Sequence, residues 1–103
     1  MVQINWTPQS VSDLKNIAEY IGKDSKYYAK LQVIRLKSRV EVLERQIHIG
    51  NLVPEFERTD LRQLIQGRYR IIYKVVNENR ADILTVHHSA RDITKRNILK
   101  KRK

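Results

Sequence analysis

The ten residues from 67 to 76, GRYRIIYKVV, constrain the fold more than any other part of the chain. They are rich in β-branched residues and tyrosine and contain no proline, which is typical of a β-strand. Side chains alternate along a strand, so Arg70 and Lys74 lie on one face with Ile72. The other face carries four residues that we expect to be covered by helices: Tyr69, Ile71, Tyr73 and Val75. The pattern therefore predicts a central strand whose Arg70 face is open to a partner.

Two further runs predict strands beside this one. Residues 81–88, ADILTVHH, follow a connection in which Asn77 and Asn79 tolerate left-handed backbone angles, so the two runs are expected to form an antiparallel hairpin. Residues 61–66, LRQLIQ, predict an edge strand that turns at Gly67. The sheet thus has three successive strands in the second half of the chain.

The first half of the chain predicts a short strand and two helices. Residues 2–6 alternate with period two, and Thr7 followed by Pro8 is typical of a helix start. Apolar residues then recur at helical spacing up to Gly22, which closes the first helix. A second apolar stripe extends from Asp24 or Ser25 to Ile47. The short link between the two stripes indicates an antiparallel helical hairpin.

These elements predict one α+β domain over residues 1–103. Its N-terminal strand and two-helix antiparallel hairpin pack on a small, mainly antiparallel sheet, and the first strand pairs parallel to a later one. The long loop over residues 48–60 is expected to be pinned by its apolar members, among them Val53 and Phe56. Residues from about 90 to 103 predict a short, basic C-terminal helix or tail.

Composition limits the chemistry. The chain has no cysteine and three histidines, so we expect no disulfide, metal or cofactor. No apolar run is long enough for a membrane span, and a cytoplasmic location is expected. The net charge is +10, of which residues 89–103 contribute +6 from seven basic residues and one acid. This charge favours a polyanionic or acidic partner; the alternative is a well-solvated surface with a basic tail.

Two groups of residues are candidates for chemistry. Arg70 and Lys74 can hold phosphates on the open sheet face, unless they only keep that face soluble. His87 and His88 are adjacent, so they point to opposite faces and cannot bind one metal as a pair. The sequence contains no glycine-rich phosphate loop, nucleophile motif or paired carboxylates. It therefore predicts no catalytic residue.

Four motifs, in this order, resemble a known family. They are WTP at 6–8, VPEF at 53–56, RQLI-Q-GRYRIIY at 62–73 and ILTVHHSAR at 83–91. Together they resemble the RelE/ParE superfamily of bacterial toxins from type II toxin–antitoxin systems, closest to the ParE branch. The resemblance implies a cognate antitoxin as partner, and binding of operator DNA only through that antitoxin. It also implies two helices on a small antiparallel sheet, as the residue patterns do.

The resemblance leaves two targets open. ParE-like members inhibit DNA gyrase, whereas RelE-like members are ribosome-dependent endoribonucleases that cut mRNA. For a nuclease, the residues that the resemblance implies are Arg70, His87, His88 and Arg91. Residues 60–64 lack the paired lysines of the nucleases, and no tyrosine or phenylalanine follows Tyr73. The frame formed by Val86, His88 and Arg91 is similar to that of ParE, so we expect a gyrase inhibitor. A third possibility, a basic nucleic-acid adaptor, is favoured by net charge alone.

Candidate contact residues follow from these expectations. The candidates for target binding are Arg68, Arg70, Lys74, His88, Arg91, Lys95 and Arg96. The antitoxin is expected to wrap the helical hairpin and to add an element along the sheet. The candidates for antitoxin binding are Leu31, Ile34, Val42 and Tyr73.

Overall fold

The computed structural model of the chain describes residues 1–91 and Thr94. Five strands, two α-helices and one 3₁₀-helix make up the described residues. In chain order they are β1 (Gln3–Trp6), α1 (Pro8–Gly22), α2 (Lys26–Val40), the 3₁₀-helix (Glu41–Glu44), β2 (Asn51–Leu52), β3 (Leu61–Gln66), β4 (Tyr69–Asn77) and β5 (Arg80–His88). The predicted α+β class is confirmed. The helix or tail predicted beyond residue 90 lies almost wholly outside the described residues.

The strands form one sheet in the order β1-β5-β4-β3-β2. β4 is central, as predicted, and pairs antiparallel with both β3 and β5. β1 is parallel to β5, from Gln3 opposite Arg80 to Trp6 opposite Ile83. The short strand β2, which the sequence did not indicate, pairs with β3 at Arg62 and Gln63. The prediction that residues 61–66 form the sheet edge is therefore wrong over the first half of β3.

Side-chain caps set the helix starts. The Thr7 oxygen accepts from the Ser10 N–H at 3.2 Å, and its hydroxyl donates to the Ile83 carbonyl at 2.6 Å, which ties the start of α1 to β5. Ser25 caps α2 by accepting from the Tyr28 N–H at 3.2 Å. α2 ends at Val40, so the predicted continuation to Ile47 is wrong.

After α2 ends at Val40, the chain turns back towards the sheet. The 3₁₀-helix and the turn after it bring the Ile47 carbonyl and the Gly50 N–H to the Tyr73 hydroxyl, at 2.8 and 3.0 Å. Leu43 and Ile47 remain buried without belonging to an α-helix. The apolar spacing thus identified the core residues correctly but not the backbone that carries them.

The two faces of the sheet have separate cores. The helix face packs α1 and α2 against Ile71, Tyr73, Ile83 and Val86, which confirms the predicted face of β4. On the opposite face, a smaller cluster is formed by Val53, Phe56, Leu61, Ile72 and Leu84. Val53 and Phe56 belong to the loop over residues 53–60, which we call the cover loop. The prediction that the Arg70 face is open is therefore wrong, because the cover loop packs on this face.

The two hairpin turns differ. Gly67, between β3 and β4, has a φ of +60°, and no other described residue has a positive φ. A glycine at the first central position followed by an ordinary residue is the pattern of a type II′ turn. In the β4–β5 turn no asparagine is left-handed, contrary to expectation. There the Asn77 side chain accepts a hydrogen bond from the Asn79 N–H at 2.8 Å, which closes the turn.

Candidate functional site

Arg70 is fastened to the cover loop. Its two terminal nitrogens donate to the two carboxylate oxygens of Glu55, each at 2.8 Å, and its Nε donates to the Gln63 side chain at 2.8 Å. The Arg70 side chain is 9% exposed. The predicted freely exposed cation is thus wrong: Arg70 lies on the face away from the helices, but a bidentate ion pair occupies it.

The apolar residues on either side of Glu55 place it over Arg70. Val53 is buried, Phe56 packs on the same cluster, and the Phe56 N–H donates to the Val53 carbonyl at 3.2 Å. This turn presents the Glu55 carboxylate to the sheet. The apolar character of Val53 and Phe56 predicts them as anchors of the loop, but Glu55 was not predicted as a partner of Arg70. The signal available was an acid between two anchoring apolar residues.

Lys74 and Arg70 do not form one basic patch. Lys74 is half-buried near Asp60, whose pKa is lowered first by the hydrogen bond from Arg58 and, more weakly, by the charge of Lys74. The cover loop therefore supplies a carboxylate for each cation: Glu55 is paired with Arg70, and Asp60 lies near Lys74. The face that was predicted to display positive charge carries compensating carboxylates.

The two adjacent histidines point to opposite faces, as predicted. His87 lies directly across from Arg70 in β4, is 1% exposed, and its Nε2 is 3.2 Å from the Arg91 carbonyl. The His88 ring packs edge-on against Tyr69 on the helix face, with centroids 5.5 Å apart. Within residues 1–91 and at Thr94, no cluster of His, Asp or Glu is suited to hold a metal ion.

A buried carboxylate joins α1 to β5. Asp13 is 6% exposed, and its Oδ2 accepts from the Thr85 hydroxyl and from the Val86 N–H, at 2.5 and 3.0 Å. Gln9 donates to its Oδ1 at 2.9 Å. Asp13 was not among the residues predicted from the sequence. Its place beside Leu14 on the buried stripe of α1 was the signal for a buried, hydrogen-bonded acid.

A cleft of about 1010 Å³ opens between α1 and the ends of β4 and β5. Its rim carries Tyr20, Tyr69, His88 and Arg91, and we call it the aromatic cleft. Burial raises the pKa of Tyr69, with a further rise from Tyr20 and a lowering by the charge of Arg68. These influences place Arg68 and Tyr20 within electrostatic reach of Tyr69. Of the target-binding candidates, His88 and Arg91 thus meet at this cleft with Arg68 near, whereas Arg70 and Lys74 lie on the other face.

The sequence matches a known protein family over most of its length. The family described as the ParE toxin of type II toxin–antitoxin system, parDE, matches residues 4–93, which include all the strands and helices described above except Gln3, the first residue of β1. The chain is a member of the ParE toxin family. The predicted resemblance to the RelE/ParE superfamily is confirmed.

Two solved structures have a similar fold. The toxin is similar to a chain of the chromosomal ParDE TA system from P. aeruginosa, with a TM-score of 0.71 and 21% identity over 85% of this chain and 96% of that chain. It is also similar to the YoeB dimer from Staphylococcus aureus, with a TM-score of 0.57 and 17% identity over 84% and 95% of the two chains. No curated protein sequence matches it. At these identities the two structures support the fold alone.

The remaining predicted contact residues of this ParE-family toxin differ in how exposed they are. Ile34 is 49% exposed on α2 and Leu31 is half-buried, whereas Val42 packs against the core. Tyr73 is fully buried, so its prediction as an antitoxin contact is wrong. Lys95 and Arg96 lie outside the described residues. No helix of the described part of the toxin is long and apolar enough to cross a membrane.

Proposed function

We propose that this toxin inhibits DNA gyrase in the cytoplasm and is neutralised by a cognate antitoxin. The observation that carries the choice of gyrase over mRNA is the enclosure of Arg70. In a RelE-like nuclease this arginine is implied to hold the scissile phosphate. Here the Glu55 carboxylate already takes both terminal nitrogens of Arg70, whose side chain is 9% exposed. A phosphate would have to displace a bidentate partner from a nearly closed site.

The accessible cations lie at a different place. Arg68 and Arg91 are exposed, and the Ser89 N–H donates to the Arg68 carbonyl at 2.8 Å, so both lie at the same end of the sheet. His88 is at this end too, and with Val86 and Arg91 it belongs to the ParE-like frame of the sequence. This end of the sheet is therefore the surface that we assign to the target.

A supercoiling assay tests the proposal. Purified toxin is titrated into gyrase, ATP and relaxed plasmid, and supercoiling is expected to stop. Arg91→Ala is expected to weaken inhibition more than Arg45→Ala, a matched exposed arginine beyond the 3₁₀-helix at the other side of the molecule. Full supercoiling at excess folded toxin would exclude gyrase as the target.

One observation favours the alternative, an mRNA endoribonuclease. Glu55, Arg70 and His87 supply a carboxylate, a guanidinium and an imidazole on one face of the sheet. These are the groups that general acid–base cleavage of a phosphodiester needs, once the ion pair opens. Primer extension after induction of the toxin distinguishes the two functions. New message ends that vanish in Arg70→Ala and in His87→Gln would support cleavage, and intact messages would support the gyrase proposal.

A groove of about 670 Å³ lies between the helical hairpin and β1 of the toxin, and it is a candidate binding site for the antitoxin. Among the described strands, β1 lies at one end of the sheet, and its outer side pairs with none of them, so an added strand has a place to pair. The groove lining combines apolar side chains, such as Trp6 and Val33, with the lysines at positions 15 and 37 and the glutamates at positions 41 and 44. We propose that an amphipathic antitoxin segment binds here through its apolar face, with acidic side chains beside the two lysines. Val33→Asp is expected to preserve growth inhibition but to prevent rescue by the co-expressed antitoxin, whereas Tyr27→Asp, outside the groove, should be rescued normally.

A further inference from the structure

The aromatic cleft presents flat rings to solvent on its rim. Tyr20 is 74% exposed although it is a large aromatic residue, and it lies on the α1 side of the cleft. Tyr69 faces it from β4 and is held by the edge-on His88 ring, with an interplanar angle of 83°. The Tyr69 and His88 rings thus pack against each other on the sheet side of the cleft. The core of the domain does not need the Tyr20 ring.

Positive charge surrounds these rings. Arg68 lies in the β3–β4 turn directly before Tyr69, and Arg91 lines the cleft after β5. The carboxylate at the base of the cleft, Asp13, is 6% exposed and has hydrogen bonds from Thr85, Val86 and Gln9. Asp13 thus lines the base of the cleft, and its carboxylate is engaged in these hydrogen bonds. The exposed rim of the cleft therefore carries aromatic rings and an arginine beside neutral amides, those of Gln9 and Asn16.

We propose that the aromatic cleft binds single-stranded nucleic acid, with a base stacked on Tyr20 and backbone phosphates beside Arg68 and Arg91. Exposed rings next to guanidinium groups are the arrangement by which proteins hold single strands without reading their sequence, since every base has a flat face. A duplex keeps its bases stacked on one another and offers no such face. The cleft has a volume of about 1010 Å³, which is large enough to hold a nucleoside and its flanking phosphate. The inference goes beyond gyrase inhibition and does not depend on it.

Binding of a labelled oligothymidylate of about 12 nucleotides, a length that one small domain covers, tests the proposal by fluorescence anisotropy. The full-length toxin is used at near-physiological salt, because a charge of +10 binds any polyanion at low salt. Tyr20→Ala is expected to weaken binding about tenfold, the effect of losing one stacked base. Tyr20→Phe, which keeps the ring, should bind like the wild type.

Tyr27→Ala is the matched control, since Tyr27 is 71% exposed on α2 and does not line the cleft. All of these substitutions leave the net charge unchanged, so the salt dependence of binding should be the same in each variant. Equal affinity of Tyr20→Ala and Tyr27→Ala would show that charge alone holds the strand and would overturn the proposal. So would a duplex that competes as well as the single strand, or a failure of the wild type to bind. Gyrase inhibition by Tyr20→Ala is measured separately, so that the two proposals succeed or fail independently.

Discussion

The Tyr73 side chain connects the sheet to the segment that follows the helices. It is fully buried, its hydroxyl donates to the Ile47 carbonyl at 2.8 Å, and it accepts from the Gly50 N–H at 3.0 Å. Both backbone groups lie 23 or more positions away along the chain. One phenol thus satisfies two backbone groups that would otherwise be buried without a partner.

Tyr73→Phe is expected to lower the free energy of unfolding by about 1–3 kcal/mol. The substitution keeps the ring but leaves a buried N–H and a buried carbonyl unsatisfied. Urea denaturation followed by circular dichroism measures the loss. Tyr27→Phe, at an exposed tyrosine, is the control and should cost nearly nothing. Equal stability of the two variants would contradict the role of the hydroxyl.

Tyr73 also predicts a dependence of stability on alkaline pH. Burial is the main reason why its pKa lies above the usual 10.0. A raised pKa in the folded state stabilises the toxin fully below pH 10.0, and this contribution is lost as the pH rises through the folded value. The free energy of unfolding should therefore fall above pH 10 in the wild type. In Tyr73→Phe the fall should be smaller, and only the contribution of Tyr69 and other groups should remain.

Gly50 predicts a steric effect at the same junction. A Cβ at this position would lie 2.6 Å from the Gln63 carbonyl oxygen and 2.8 Å from the Tyr73 ring. Gly50→Ala should destabilise the toxin by about 1–3 kcal/mol, because the backbone of β3 cannot move away freely. Gly22→Ala is the matched control, since its new Cβ would meet only Ala29, at 3.8 Å. In a thermal denaturation series it should be neutral or slightly stabilising.

At the scale of elements, the cover loop is held by one buried ion pair and one exposed ion pair. Glu55→Gln removes the charge that faces Arg70 and should cost about 2 kcal/mol, less than for a fully closed pair because the Glu55 side chain is 31% exposed. Arg58→Gln breaks the exposed pair with Asp60 and should cost below about 1 kcal/mol. Amide hydrogen exchange over residues 53–60 should rise in the first variant only. Similar exchange in both variants would mean that the apolar anchors alone hold the loop.

The sequence predicted those elements whose signals are local. Alternation identified β4 and its helix face, and the pairing of Thr7 with Pro8 identified the start of α1. Features that depend on distant residues escaped it. The Arg70–Glu55 pair spans 15 positions, and β2 exists only because β3 lies beside it. The site shows the same division: His87 and His88 were assigned to opposite faces by spacing, but nothing near Arg70 in sequence showed that a loop would neutralise it.

At the scale of the whole molecule, self-repulsion follows from the charge of +10. The domain measures 39 × 31 × 23 Å, and the screening length is about 30 Å at 0.01 M salt but about 8 Å at 0.15 M. Like charges therefore repel across the entire domain at low salt only. The melting temperature should rise between these two salt concentrations. A Lys15→Glu, Lys30→Glu variant, with a charge of +6 (+10 less two for each change), should show a smaller rise.

The parallel pairing of β1 with β5 joins the first of the described strands to the last. Gln3 has no strand partner until Arg80 has been made, and the Thr7 cap needs the Ile83 carbonyl. Such a contact is expected to close late in folding, because Gln3 and Arg80 are 77 positions apart. A nascent or prematurely terminated product that stops before β5 lacks both the sheet edge and the aromatic cleft. A chain released before Arg80 is thus expected to leave β1 unpaired and to be unable to inhibit growth.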